Sequence, residues 1–179
     1  TMGLTEACAP ILSNPLPAEK MKYGSPGIPY GNEVKIMNNE FKEVPRNEIG
    51  QICVKGKNIM KKYYKNPEET KKSFYGDWFL TGDLGLMDEE NYVFVKGRIK
   101  ELIIKGGENI SPREIDDVLY QHSDVLEAAA FGAKCNHYGE KIEAGVVLKK
   151  NRETTENDLI GHCEKFLGKF KSPSKIYFF

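Results

Sequence analysis

Residues 93–114 read V-F-V-K-G-R-I-K-E-L-I-I-K-G-G-E-N-I-S-P-R-E, and this run constrains the fold more than any other part of the chain. Val93-Phe94-Val95 is the β-branched and aromatic material of a strand end. Gly97 punctuates it, and Arg98 follows with a planar fork of donors that suits sugar hydroxyls or phosphate. Leu102-Ile103-Ile104 is a short apolar run fit for burial. At Gly106-Gly107 no Cβ stands in the way, so a ligand or a second backbone can come close. Ser111, Pro112 and Glu114 then open a helix as N-cap, first helical residue and third-position partner of a capping box.

The pattern differs on the two sides of this run. Upstream, residues 13–31 are rich in Pro and Gly and read as loops and turns. Residues 33–37 and 51–55 alternate as strands, with Asn38-Asn39 as a hairpin turn. Asn66-Pro67-Glu68-Glu69 starts a helix that runs to about Phe74, and Trp78-Phe79-Leu80 and residues 92–96 are further strands. Short strands with regular turns predict a small antiparallel β-barrel subdomain. Downstream, Ile115, Val118, Leu119 and His122 follow a helical period. Strands are expected over 126–131, 142–148 and 176–179. Thr155 caps a second helix with Leu159, Cys163, Phe166 and Leu167 on one face. The expected fold class is α+β: a barrel-like domain over 1–97, then a compact α+β domain over 98–179 with a hairpin, a three-stranded sheet and helices.

Bulk numbers exclude some classes. The 26 basic and 26 acidic residues cancel, so bulk charge gives no reason to expect a nucleic-acid or membrane surface. No apolar run approaches the roughly 20 residues of a membrane span. Four cysteines without a C-x-x-C pair suit free thiols in a reducing, cytoplasmic compartment. Cys135 with His137, and His162 with Cys163, lack the wider spacing of zinc sites. Lys61, Lys62, Lys65, Lys71 and Lys72 interleave with Tyr63, Tyr64 and Phe74, but Glu68, Glu69 and Asp77 interrupt them. A solvated helix face accounts for that run.

Four more segments complete the picture: Gly3-Leu4-Thr5-Glu6, Gly50-Gln51-Ile52-Cys53-Val54-Lys55-Gly56, Trp78-Phe79-Leu80-Thr81-Gly82-Asp83, and Leu167 to Pro173. With the 93–114 run they stand in order over nearly the whole chain. Together they resemble the fifth to ninth motifs of the AMP-forming acyl-CoA ligases, the adenylating family of acetyl-CoA synthetases, coumarate ligases and firefly luciferase. The resemblance implies ATP, a carboxylic acid and coenzyme A as small-molecule substrates, and Mg2+ as cofactor. Gly3 and Thr5 would meet the adenylate, with Thr5 on its phosphate, and Glu6 would hold Mg2+. Asp83 would accept from both ribose hydroxyls, and Arg98 would be the second ribose contact. Lys100 would be the hinge between two working poses. Gly106-Gly107 would line the pantetheine tunnel of coenzyme A, with Lys105 and Glu108 flanking it as rim contacts. Met2 stands where the family carries an aromatic residue against adenine.

Taken without the resemblance, these residues have plainer readings. Thr5 is a cap before a surface Glu6, and Asp83 ends a strand. Arg98 makes a surface pair with Glu101, Lys100 is a solvated lysine, and Gly106-Gly107 is a hairpin turn.

The resemblance also implies a C-terminal fragment, inactive alone, without the upstream Gly/Ser/Thr-rich phosphate loop and ending before the adenylation lysine. A peroxisomal address would lie in a tail past Phe179. Ser13 to Pro17, Gly106 to Pro112 and His137 to Glu140 are similar to the oxalate–CoA ligases, with a fatty acid as the rival substrate. An adenylation domain loading a carrier protein, and a non-catalytic module keeping the fold, stay open as alternatives.

Overall fold

The alternating stretches pair as antiparallel strands in a computed structural model that describes residues 1–179. In the first compact unit, Thr1–Ile99, β1 (Met2–Leu4), β2 (Ala9–Ser13) and β3 (Ile28–Pro29) form a three-stranded sheet. β4 (Glu33–Met37), β5 (Gly50–Lys55), β6 (Phe74–Tyr75), β7 (Trp78–Met87) and β8 (Val93–Arg98) form a second sheet. Its order is β4-β5-β7-β6, with β8 also on β7. Helix α1 (Pro67–Lys72) precedes β6. Ile11 and Leu12 from the small sheet share one apolar core with Val34, Ile36, Ile52, Val54, Met87 and Val93 from the large one.

The barrel expected over 1–97 is therefore two sheets over a common core. The reason lies in β3, which is two residues long and includes Pro29. Proline has no N–H to continue a ladder. A single isolated bridge, Gly27 to Val93, joins the sheets. Gly27 has φ 119°, and a Cβ there would lie 2.0 Å from the Ser13 backbone, so only glycine permits the approach. Asn38-Asn39 also differs from expectation. Asn38 organises a local turn by accepting from the N–H groups of Glu40 and Lys42, but the β4–β5 connection runs over residues 38–49.

The second unit, Lys100–Phe179, holds β9 (Ile103–Lys105), β10 (Glu108–Ile110), α2 (Pro112–Tyr120), β11 (Val125–Cys135), β12 (Gly139–Leu148), α3 (Glu156–Lys171) and β13 (Ile176–Phe178). The expected hairpin and three-stranded sheet are fused into one five-stranded sheet. The Lys105–Gly139 rung ties β9 to β12, and β13 pairs parallel to β12. Ile103, Ile110, Ile115, Leu119, Ile142 and Leu159 are all at most 1% exposed and form the centre of its core. Phe166, expected on the apolar face of α3, is exposed beside His162.

The units divide after Ile99, two residues later than the break expected after Gly97, because Arg98 is still a rung of β8. The capping box belongs to α3. There Thr155 accepts from the Asp158 N–H while the Asp158 carboxylate accepts from Thr155. At α2, Pro112 takes its expected place, but Ser111 makes no side-chain bond to the helix backbone. Glu114 reaches instead to Lys171 on α3, at 2.8 Å. The tertiary ion pair has replaced the local cap.

Candidate functional site

Two clusters in the first unit and one in the second gather the expected site residues. The first begins at Gly3 in β1, whose paired partner is Pro10. Residues Thr5–Ala7 follow as a single 3-10 turn, closed by Cys8 in the left-handed region. Ala7 is fully buried in the core and anchors the turn. Thr5 is exposed and Glu6 half-buried. The loop after β5 holds Glu6 by its backbone and its side chain. The Met60 N–H donates to the Glu6 carbonyl at 2.7 Å, and the Tyr63 hydroxyl donates to Glu6 Oε1 at 2.9 Å. Burial pushes the Tyr63 phenol up, and its bond to Glu6 adds to that. Met2 packs partly buried against the core.

This donor set fits a magnesium ion. Mg2+ favours oxygen, keeps several waters and takes one or two carboxylates alongside substrate phosphates. Glu6 supplies one carboxylate whose orientation is fixed through Oε1.

The second cluster is the Asp83–Arg98 rung. Along β7 the inward positions include Phe79, Asp83, Gly85 and Met87, so the period-2 geometry of a strand turns the Asp83 carboxylate toward the protein. Asp83 is 3% exposed. It sits directly opposite Arg98, and Arg98 Nε donates to Asp83 Oδ1 at 2.9 Å. The register depends on a shift between Leu84 and Gly85. Without that shift Arg98 would fall out of step with Asp83 and on the other face of the strand. The Thr81 hydroxyl donates to the Ile52 carbonyl at 2.8 Å and accepts from the Asp83 N–H at 3.0 Å, which sets the Thr81-Gly82-Asp83 turn. Gly82, at φ 77°, has nothing within 4 Å of a notional Cβ. The result is a buried carboxylate that carries a guanidinium 60% exposed to solvent.

The third cluster is the β9–β10 turn. Gly106 (φ 59°) and Gly107 (φ 87°) are both left-handed, as a tight two-residue hairpin demands. The Gly106 N–H donates to the Tyr138 carbonyl at 2.9 Å. Lys105, expected at the rim of this turn, is 8% exposed. Its ammonium donates to the Phe170 carbonyl and lies over the rings of Phe170 and Tyr138. Burial lowers its pKa, partly opposed by the nearby Cys135 thiol. The rim position fails because β9 alternates, with Ile103 and Lys105 inward and Ile104 outward. Lys100, the first residue of the second unit, is exposed in the short turn Ile99–Glu101.

Strand pairing thus brings Asp83 and Arg98 together, while Glu6 takes partners the sequence reading did not pair with it. The sequence places Tyr63 in a solvated lysine-rich face, and Tyr138 and Phe170 fall within the motif-like segments 137–140 and 167–173 without any sign of what they touch. Their roles depend on contacts across 57, 32 and 65 residues. Cys53 and Cys163 are buried, and burial raises their thiols to about 12 and about 11. No group of three or more His, Cys, Asp or Glu side chains gathers as a metal centre. No helix is long and apolar enough to cross a membrane.

Comparisons with known proteins agree on one family. Residues 1–64 match the family model described as AMP-binding enzyme, and residues 114–179 match AMP-binding enzyme C-terminal domain. The chain is similar to a sulfoacetate–CoA ligase of Cupriavidus necator, at 44% identity over 99% of this chain and 35% of the relative. It is similar to an oxalate–CoA ligase of Arabidopsis thaliana, at 43% identity over 98% of this chain and 34% of the relative. Among solved structures it resembles ATP-bound MatB from Rhodopseudomonas palustris, with TM-score 0.92 and 37% identity over 99% of this chain and 35% of that one. The chain spans about a third of the length of these relatives.

Proposed function

This chain belongs to the AMP-binding enzyme family, and on that premise we propose that it is part of an AMP-forming acid–CoA ligase. In the first half-reaction a carboxylate oxygen attacks the α-phosphorus of ATP, forming acyl-AMP and expelling pyrophosphate. In the second, the coenzyme A sulfur attacks the acyl carbonyl and AMP leaves. Such chemistry rests on positioning and on neutralising phosphate charge.

The Asp83–Arg98 rung carries this reading. A ribose offers two adjacent hydroxyls, and a carboxylate offers acceptors for both. The strand register presents that carboxylate with a guanidinium already bound to one side, which suits a sugar held from two directions. Thr5 donates to the adenylate phosphate, and Gly3 leaves the approach to it free of a side chain. Glu6, oriented by Tyr63, would hold the magnesium ion. When bound, that ion neutralises phosphate charge as pyrophosphate departs. Lys100, at the start of the second unit, is the hinge about which that unit changes pose between half-reactions. Gly106 and Gly107 line the passage for the pantetheine arm, and Lys105 lies behind the turn, away from the coenzyme.

The acid is a short dianion in this reading. Two of the most similar relatives are named for sulfoacetate and oxalate, and each of those acids carries a second negative group beside the reacting carboxylate. A long-chain fatty acid is the competing substrate. A carrier-loading adenylation domain is the competing function.

The test uses the full-length ligase. Asp83→Asn keeps the shape of the side chain but removes one charged acceptor, worth about 1.5–3 kcal/mol. ATP–pyrophosphate exchange should therefore fall roughly tenfold to a hundredfold in kcat/KM for ATP. Undiminished exchange would overturn the nucleotide assignment. Discharge of the acyl-AMP by free coenzyme A, and a preference for oxalate or sulfoacetate over long-chain acids, would settle the two competing readings.

A further inference from the structure

We propose that Lys105 is a positioning residue for the coenzyme A step: it fixes the back of the Gly106-Gly107 turn by holding Phe170 and Tyr138 in place behind it. This rests on the reading of the turn as the pantetheine contact, and goes beyond it in naming what keeps the turn in shape.

Pattern and residue do not match at position 105. β9 points Ile103 and the side chain at 105 inward, where an apolar residue would be the ordinary choice. The chain places an ammonium there, 8% exposed, and gives it no carboxylate. Its partners are one backbone carbonyl, that of Phe170, and two aromatic faces, with ring centroids 4.8 Å away at Phe170 and 5.8 Å away at Tyr138. Cation–π contact and a carbonyl offset part of the desolvation cost, but an ion pair would offset more. A methionine would fill nearly the same volume without that cost. What methionine cannot do is bond the Phe170 carbonyl.

That bond matters because of where Phe170 stands. It lies near the end of α3, two residues past Gly168, where the helix breaks with φ 74°. The kink interrupts α3 just before Phe170, and the Lys105 ammonium supplies a fixed point for the short stretch beyond it. The other ring belongs to the β11–β12 turn, next to Gly139, which pairs with Lys105 itself. Tyr138 and Phe170 meet edge to face at 6.2 Å. Three chain segments thus converge on one ammonium.

The two glycines of the turn sit differently against this support. A Cβ on Gly106 would come 3.2 Å from Tyr138 and 3.6 Å from Phe170, whereas one on Gly107 would meet nothing within 4 Å. The turn has a packed back and an open front. Movement of either ring is transmitted directly to Gly106, whose N–H also donates to the Tyr138 carbonyl. Loss of the Lys105 anchor should therefore loosen the turn without touching the nucleotide residues of the first unit.

The experiment measures the two half-reactions separately in the full-length ligase. For Lys105→Met, the fold should be retained, ATP–pyrophosphate exchange should match wild type, and KM for coenzyme A should rise roughly tenfold or more. Lys105→Gln keeps one donor for the Phe170 carbonyl and should give a smaller rise. It also serves if the methionine variant does not fold. A parallel fall in both half-reactions would show a merely structural lysine, and an unchanged KM for coenzyme A would show no positioning role; either overturns the proposal. Gly106→Val separates this outcome from failure of the underlying reading. If it too leaves the coenzyme A step unchanged, the turn is not the pantetheine contact. If it impairs that step while Lys105→Met and Lys105→Gln do not, only the role given to Lys105 is wrong.

Discussion

Each unit of this protein buries one charged side chain at its candidate site, and the two are satisfied in opposite ways. In the first unit Asp83 meets a guanidinium directly across a strand ladder. In the second, Lys105 meets a carbonyl and two rings, with no opposite charge. A registered ion pair holds both members in a fixed geometry and leaves most of the guanidinium exposed to solvent. A caged ammonium is held at a net cost, and its directional partner is backbone. The contrast teaches that the first unit presents its charge, while the second uses its charge internally to shape a turn.

That contrast can be broken by removing one partner at a time. The largest effect is expected from Arg98→Met, which strips the charged partner from the Asp83 carboxylate. Stability of the 179-residue chain should drop by about 2 kcal/mol, in the range for a hydrogen bond to a charged group. Urea unfolding followed by Trp78, the single tryptophan, reads the unit concerned. A midpoint equal to wild type would mean that the rung contributes nothing to the fold.

Next comes Gly106→Ala. The left-handed conformation alone costs an alanine about 1–2 kcal/mol, and the 3.2 Å approach to Tyr138 adds to it. Gly107→Ala carries the conformational cost without the close contact. Thermal unfolding should rank Gly106→Ala below Gly107→Ala, and equal losses would show that the packed back of the turn yields freely.

A smaller difference separates the two helix starts of the second unit. Thr155→Ala removes the hydroxyl that accepts from the Asp158 N–H, leaving the backbone N–H at 155 on the Asp158 carboxylate, and should cost about 1 kcal/mol. Ser111→Ala removes no side-chain cap from α2 and should cost less. Paired denaturant titrations check the order.

The smallest effect is the pH dependence of the caged lysine. Its folded pKa is lowered from 10.5, so between the folded and unfolded values the unfolded chain binds more protons. Stability therefore rises with pH in that window. The stability of wild type relative to Lys105→Met should climb as pH approaches 10.5 from below, and a difference that stays flat would show that the ammonium is not desolvated.

Much of this was legible in the residues. The strands at 33–37 and 51–55, the Asn66 cap of α1 and the Thr155 cap of α3 follow from short-range chemistry, in which a side chain bonds a backbone group three residues away. Gly106-Gly107 announced a turn because few other residues sit at positive φ in succession. Other expectations gave way to distant partners. Glu114 left the local cap for Lys171, Tyr63 left a solvated face for Glu6, and Lys105 left the rim for Phe170.

The linear chain by itself determined the α+β class and the motif order it shares with the AMP-binding enzymes. These depend on residue type and spacing, which folding does not alter. Only the tertiary structure decided that Asp83 faces Arg98, that the presumed barrel is two sheets, and which charges lie inside. Those outcomes turn on strand register and long-range burial, where a shift of one residue exchanges the inside of a sheet for its outside.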